Sequence, residues 1–152
     1  MNYWPAEPTG LGDYTDALFN WCERFIESGQ FAAKNIYSCR GLWMPLCTDA
    51  WGCACTDSRE WGVWASSAPW LAEHYWMHYE YTGDKEFLKN RAYPYIKLVA
   101  RFIDDYVTLD KNGVYQIVPS QSPENHYAHD FEGRKEQRVT IGVSSAMDIT
   151  LF

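Results

Sequence analysis

Residues 39–64 set the strongest limit on how this chain folds. They show no helical period, yet they carry Trp43, Trp51, Trp61 and Trp64, with glycines at 41, 52 and 62. A connection of about 25 residues is far longer than the usual link between elements, and such loops are either functional or disordered. Closing a long loop costs little extra entropy, but ordering it requires contacts. Tryptophans provide those contacts, and this much aromatic surface argues against disorder. The loop must be pinned to neighbouring helices.

Those helices are legible from residue spacing. Asp13 is placed to cap a first helix whose buried stripe is Tyr14, Leu18, Trp21, Cys22, Phe25 and Ile26. Gly29 is expected to end or interrupt it, and a short helical piece follows over 31–37. Pro5, Pro8 and Gly10 keep residues 1–12 extended or turn-like. After the long loop a helix is predicted over 67–81, with Leu71, Ala72, Tyr75, Trp76 and Tyr79 on its apolar face. Gly83 stops it, Asp84 starts a short helix through Ala92, and Pro94 opens another bearing Ile96, Val99, Ile103 and Tyr106. Residues 110–113 form a turn, 114–118 a short extended segment, and 130–138 a charged, solvated stretch. Ser144 or Ser145 caps a final helix from Ala146.

The expected fold class is all-α, made of antiparallel helical hairpins. Short turns at 81–85 and 107–113 alternate with long connections at 38–65 and 118–143. That alternation suits part of a barrel of hairpins whose long loops gather at one rim, and it also suits a plain helical array. So few helices cannot close a two-layered barrel. Met1 leads directly into an aromatic segment, and the chain stops within an apolar run at 149–152. A piece of a longer chain, cut at both ends, is the expectation.

The formal charge of −7 opposes a nucleic-acid or anionic-membrane partner. No signal peptide or membrane span is visible in the sequence, and a secreted or periplasmic parent stays open. Five cysteines are an odd number, so buried free thiols are expected rather than a disulfide framework. Cys47 with Cys53-Ala54-Cys55 fits no common zinc spacing. His74 and His78 share a helical face without the zinc-protease pattern, and are read as packing or hydrogen-bonding residues. No metal or cofactor is expected.

Two features carry chemistry. Tryptophan faces suit the C–H faces of sugars, and carboxylates and amides bind hydroxyls. A rim bearing Trp4, Trp51, Trp61 and Trp64 beside Asp49, Asp57, Glu60 and Glu124 therefore has the composition of a carbohydrate site; the alternative is that the rings simply hold the loops down. The second feature is Ser122-Pro123-Glu124-Asn125, where proline restricts the residue before it and fixes its own φ. A carboxylate beside an amide, with His126 and His129 nearby, is suited to a cleft, although a solvated turn has the same composition.

Four stretches appear together in order: Met1-Asn2-Tyr3-Trp4-Pro5-Ala6-Glu7; Tyr37 to Gly41 with Thr48-Asp49-Ala50-Trp51; Trp70 to Leu88; and Ser120 to Asn125. In these the chain resembles glycoside hydrolase family 95, the α-L-fucosidases with some α-L-galactosidases. The resemblance implies the first part of an (α/α)6-barrel catalytic domain spanning 1–152, acting on a glycan with inversion. It implies that Glu124 is the general acid. The asparagine pair that handles the water would lie before residue 1, and its supporting aspartate well beyond residue 152. Asn2, Trp4, Thr48, Asp49, Trp51, Trp61, Trp64 and Asn125 are the expected substrate-binding residues. The isolated chain is expected to be inactive and to need the remainder of its parent.

An inverting enzyme needs its water-handling group roughly 6.5–9.5 Å from the acid. Asp49 and Asp57 are the only loop acids to weigh for that place, and both fit a structural role better. Pro45-Leu46-Cys47 stands where the family often has two histidines and an asparagine. That departure removes hydroxyl-binding groups and leaves open a related sugar such as L-galactose, or a carbohydrate-binding protein without catalysis.

Overall fold

A computed structural model describes residues 2–56, 61–131 and 134–152, with 127–137 described by backbone alone. After turns through residues 2–10, a 3₁₀ turn Gly12–Tyr14 leads into α1 (Thr15–Glu23) and α2 (Ile26–Tyr37). The long loop follows, without helix or strand among its described residues, and then α3 (Ser67–Thr82). Next come α4 (Lys85–Phe87), a π turn Leu88–Ala92 and α5 (Tyr93–Tyr106), which run on without a break. Six short strands among the described residues precede α6 (Ala146–Leu151).

The local chemistry explains most of the boundaries. Gly83 ends α3 in the left-handed region, and its N–H returns to the Tyr79 carbonyl. The Asp84 carboxylate accepts from the N–H groups of Glu86 and Phe87, satisfying two donors that the helix start leaves open. Replacing Asp84 with Ala is expected to lower the stability of the full-length protein by about 1 kcal/mol, read as an earlier denaturant midpoint. Ser145 caps α6 in the same way through Asp148 N–H. Pro94 sits in the first turn of α5 as expected, although the chain was already helical when it arrived.

Gly29 does the opposite of what was expected. The break between the first two helices falls at Arg24–Phe25, and Gly29 lies inside α2. A Cβ there would come within 2.4 Å of Leu42 Cδ1 and 2.5 Å of the Trp43 carbonyl oxygen. The glycine is present for close approach of the long loop, not for chain reversal.

The expected helical character is present, with a few short strands beside it. Helices dominate, but three two-stranded antiparallel sheets stand between α5 and α6. β1 (Val107–Leu109) pairs with β2 (Tyr115–Ile117) across the Asp110 turn, and β3 (Ser120–Gln121) pairs with β6 (Ile141–Gly142). β4 (Tyr127–Phe131) and β5 (Arg134–Val139) pair antiparallel where a charged, solvated stretch was expected. Two-stranded pairing needs only backbone groups and a turn, so alternating charge does not prevent it. The described helices form no closed barrel. None is long and apolar enough to cross a membrane.

The core is a stack of rings between α1, α3 and α5. Tyr75 lies flat on Tyr95 with centroids 4.3 Å apart, and Phe19 meets Tyr75 at 4.4 Å. Leu18, Cys22, Phe25, Leu42, Met44 and Val99 fill around them. A second cluster joins Ala33, Trp43, Phe102, Tyr106 and Ile117. The tyrosine hydroxyls inside find partners, Tyr75 on the Phe19 carbonyl and Tyr95 on Met44 Sδ, as buried polar atoms must. Much of the high aromatic content is therefore core.

Cys22 and Cys39 are buried free thiols, whereas Cys47, Cys53 and Cys55 are exposed, contrary to expectation. Burial pushes the Cys22 thiol up to about 12, so it behaves as an inert apolar group. Among the described residues no group of three or more His, Cys, Asp or Glu is arranged to hold a metal ion.

Candidate functional site

The long loop is pinned at both ends and in the middle. At its start, Arg40 pairs with Asp105 through its side chain and its backbone N–H, and Gly41 packs directly on the α5 backbone. Trp43 is fully buried and donates Nε1–H to the Trp64 carbonyl, and Tyr37 donates its hydroxyl to the Val63 carbonyl. In the middle, Asp49 Oδ1 accepts from the N–H groups of Trp51, Gly52 and Cys53. Those bonds hold the Asp49 carboxyl below its usual range. Trp21 Nε1–H then ties the Asp49 carbonyl to α1. Asp49 therefore organises a turn within the loop. Asp57 and Glu60 lie outside the described residues.

The N-terminal segment is fixed by a second set of bonds. His78 Nδ1 lies 2.7 Å from Glu7 Oε1, and Thr15 Oγ1 donates to the same carboxylate oxygen at 3.1 Å. His78 is thus an anchor rather than a ligand. It places Trp4 against Trp70 of α3, with centroids 6.4 Å apart.

These anchors frame a cavity of about 200 Å3 lined by Trp4, Thr48, Trp64, Trp70, Ser67 and His74. It brings Trp4, Thr48 and Trp64, expected in the site, together with Ser67, Trp70 and His74, which were not expected there. Burial pushes the His74 imidazole below its ordinary value, which keeps it neutral, with one donor and one acceptor nitrogen. Ser67 is buried, and its Oγ has no hydrogen-bond partner among the described residues. Pro45 and Leu46 also face this cavity. Trp64 is 1% exposed and acts as a pillar, not as an open platform.

A second recess, of about 430 Å3, is lined by Ser122, Asn125, His126, Thr140, Gly142 and Ser145, among others. It falls within the roughly 300–1,000 Å3 range of ligand pockets, whereas the first cavity is smaller. Asn125 donates N–H to the Ser122 carbonyl and its amide to Ser122 Oγ, closing a tight turn around Glu124. Glu124 itself is exposed. These residues alone do not supply the water exclusion that a proton donor needs. The loop is nonetheless not remote from the tryptophans, because the His126 ring meets Trp61 edge-on at 5.1 Å. The His129 side chain lies outside the description. Asn2 is exposed, Trp51 is 86% exposed, and neither lines either recess.

Sequence reasoning missed Asp148. It is fully buried and accepts hydrogen bonds from Trp64, Ser66, Ser120 and Gln121. The only signal for it was Ser145-Ala146-Met147-Asp148, a helix-capping pattern that says nothing of those partners.

One recess is walled by tryptophans and the other by hydroxyl, amide and imidazole side chains beside the Ser122–Asn125 turn. The Glycosyl hydrolase family 95 catalytic domain matches residues 1–152, and the chain belongs to that family. It is 33% identical over 154 residues to Alpha-L-fucosidase 2 of Arabidopsis thaliana, covering all of this chain and 18% of that protein. It is 28% identical over 131 residues to Probable alpha-fucosidase A of Aspergillus niger (strain ATCC MYA-4892 / CBS 513.88 / FGSC A1513), covering 82% of this chain and 16% of that protein. The chain thus spans less than a fifth of the length of either relative.

Proposed function

We propose that residues 1–152 are the N-terminal part of the catalytic domain of a longer glycosidase that removes terminal α-L-fucosyl, or α-L-galactosyl, groups from glycans with inversion. The observation that carries this is the family match along the whole chain, which includes the Ser-Pro-Glu-Asn turn beside the Trp61–His126 contact. In this role Glu124 protonates the glycosidic oxygen as the bond to the sugar breaks. The asparagine pair and the aspartate that orient the attacking water come from the rest of the parent, as do the helices that complete an (α/α)6 barrel and enclose Glu124. Trp4, Thr48 and Asn125 contact the sugar or its neighbour, and neutral His74 joins them.

The test is proton NMR of the full-length parent acting on an α-L-fucosyl-capped oligosaccharide. The β anomer of the free sugar is expected first, and no sugar from the isolated chain. The α anomer appearing first would reject inversion. A second reading is favoured by Pro45 and Leu46 in the cavity wall: a carbohydrate-binding protein that no longer hydrolyses. Calorimetric binding of the same oligosaccharide by the parent, with no sugar released, would establish it.

A further inference from the structure

Asp148 is 0% exposed, and it joins three segments that are far apart in sequence. Oδ1 accepts from Trp64 Nε1–H at 2.8 Å and from the Ser66 hydroxyl, both at the end of the tryptophan loop. Oδ2 accepts from the Ser120 hydroxyl at 2.6 Å and from Gln121 N–H at 3.1 Å, both in β3. The turn before α6 closes the set. Ser145 N–H donates to Ser120 Oγ, and Ser145 Oγ donates to the Gln121 carbonyl. The Gln121 backbone is thus held at its N–H and its C=O, by Asp148 and by the residue that caps Asp148's own helix.

Only Ser122 and Pro123 separate Gln121 from Glu124, and the proline fixes one of the intervening torsions. A shift of β3 therefore reaches Glu124 with little slack. The other carboxylate oxygen holds the loop whose Trp61 meets His126 on the far side of the turn. We propose that Asp148 is the positioning residue for Glu124, and that it sets the distance between the acid turn and the tryptophan loop. This rests on Glu124 being the proton donor. A buried carboxylate accepting four donors cannot be exchanged for an amide without facing an NH2 toward at least one of them.

The test uses the full-length parent and two α-L-fucosides, one with a poor alkyl leaving group and one with an activated aryl group. Ser120→Ala, which removes one donor, and Asp148→Asn are each expected to lose about 10- to 100-fold in kcat on the alkyl substrate. Each should lose much less on the aryl substrate, with KM nearly unchanged. Equal losses on both substrates, or no loss in either variant, would overturn the proposal. If Asp148→Asn does not fold, Ser120→Ala decides alone. Glu124→Gln, measured in parallel, separates the two ideas. If Glu124→Gln discriminates between the leaving groups and Ser120→Ala does not, only the role of Asp148 is lost. If Glu124→Gln does not discriminate, both fall.

Discussion

Glu124→Gln in the full-length parent is expected to lower turnover on a fucosylated oligosaccharide by about 10²–10⁴-fold, the usual contribution of a positioned acid. The amide keeps the size and much of the hydrogen bonding of the carboxyl but has no proton to give. KM should change little, because protonation develops only in the transition state. Glu124 is exposed within residues 1–152 and shares its turn with Asn125 and Ser122, so the near-isosteric substitution removes no contact with this part of the core and the protein should fold normally. Circular dichroism and the denaturant midpoint check that point, and a midpoint far below wild type would leave the turnover loss attributable to folding.

The largest effect on stability is expected from Gly41→Ala. Gly41 has φ of +78°, and a Cβ there would lie 2.2 Å from the Leu98 carbonyl oxygen and 2.5 Å from Phe102 N. Both neighbours are helix backbone and cannot rotate away, and the Leu98 oxygen already accepts from Leu42 N–H. The left-handed conformation costs a non-glycine residue about 1–2 kcal/mol, and forcing atoms into a packed interface costs about 1–3 kcal/mol more. Together these come to about 2–5 kcal/mol, which at its upper end equals the lower end of a domain's whole stability, roughly 5–15 kcal/mol. Little soluble full-length protein, or rapid proteolysis within residues 39–64, is the expected result. Gly83→Ala is the control, because Gly83 has φ of +65° with nothing within 4 Å of the added atom. It should lose only the backbone part. Equal stability of the two variants would show that the loop does not depend on its contact with α5.

The contrast shows what the sequence could and could not convey. Helices were legible because their signals are local: Gly83 and Asp84 mark a stop and a start through bonds to residues within four positions. Gly29 was misread because a glycine within a helical pattern looks the same whether it ends the helix or admits another segment. Only Leu42 and Trp43, thirteen and fourteen residues on, decide between the two. The strands were hidden for a similar reason. β3 and β6 are two residues each, and their pairing spans a gap of some twenty residues.

The site divides along the same line. Thr48, Trp4 and Asn125 were chosen from motifs, and the fold places them at recesses. Trp64 was chosen as a sugar platform, and its burial makes it a support whose indole N–H serves Asp148. Composition does not separate these roles, because the same ring can stack on a sugar or fill a core. Asp49 shows the converse: an acid near the tryptophans, one of whose carboxylate oxygens accepts from three backbone N–H groups. For His74 the sequence supports only a packing or hydrogen-bonding role, because helical spacing gives only the face, and the cavity beside Trp70 depends on where the N-terminal segment returns.

The most direct measurement follows kcat/KM across a series of α-L-fucosides of graded leaving-group acidity, for wild-type parent and for its Glu124→Gln form. With Glu124 donating the proton, wild type should respond weakly to the leaving group, while the variant should fall steeply as the departing alcohol becomes less acidic. Parallel lines of equal slope would mean that some other group protonates the departing oxygen, and that the Ser-Pro-Glu-Asn turn is only a bend in the chain.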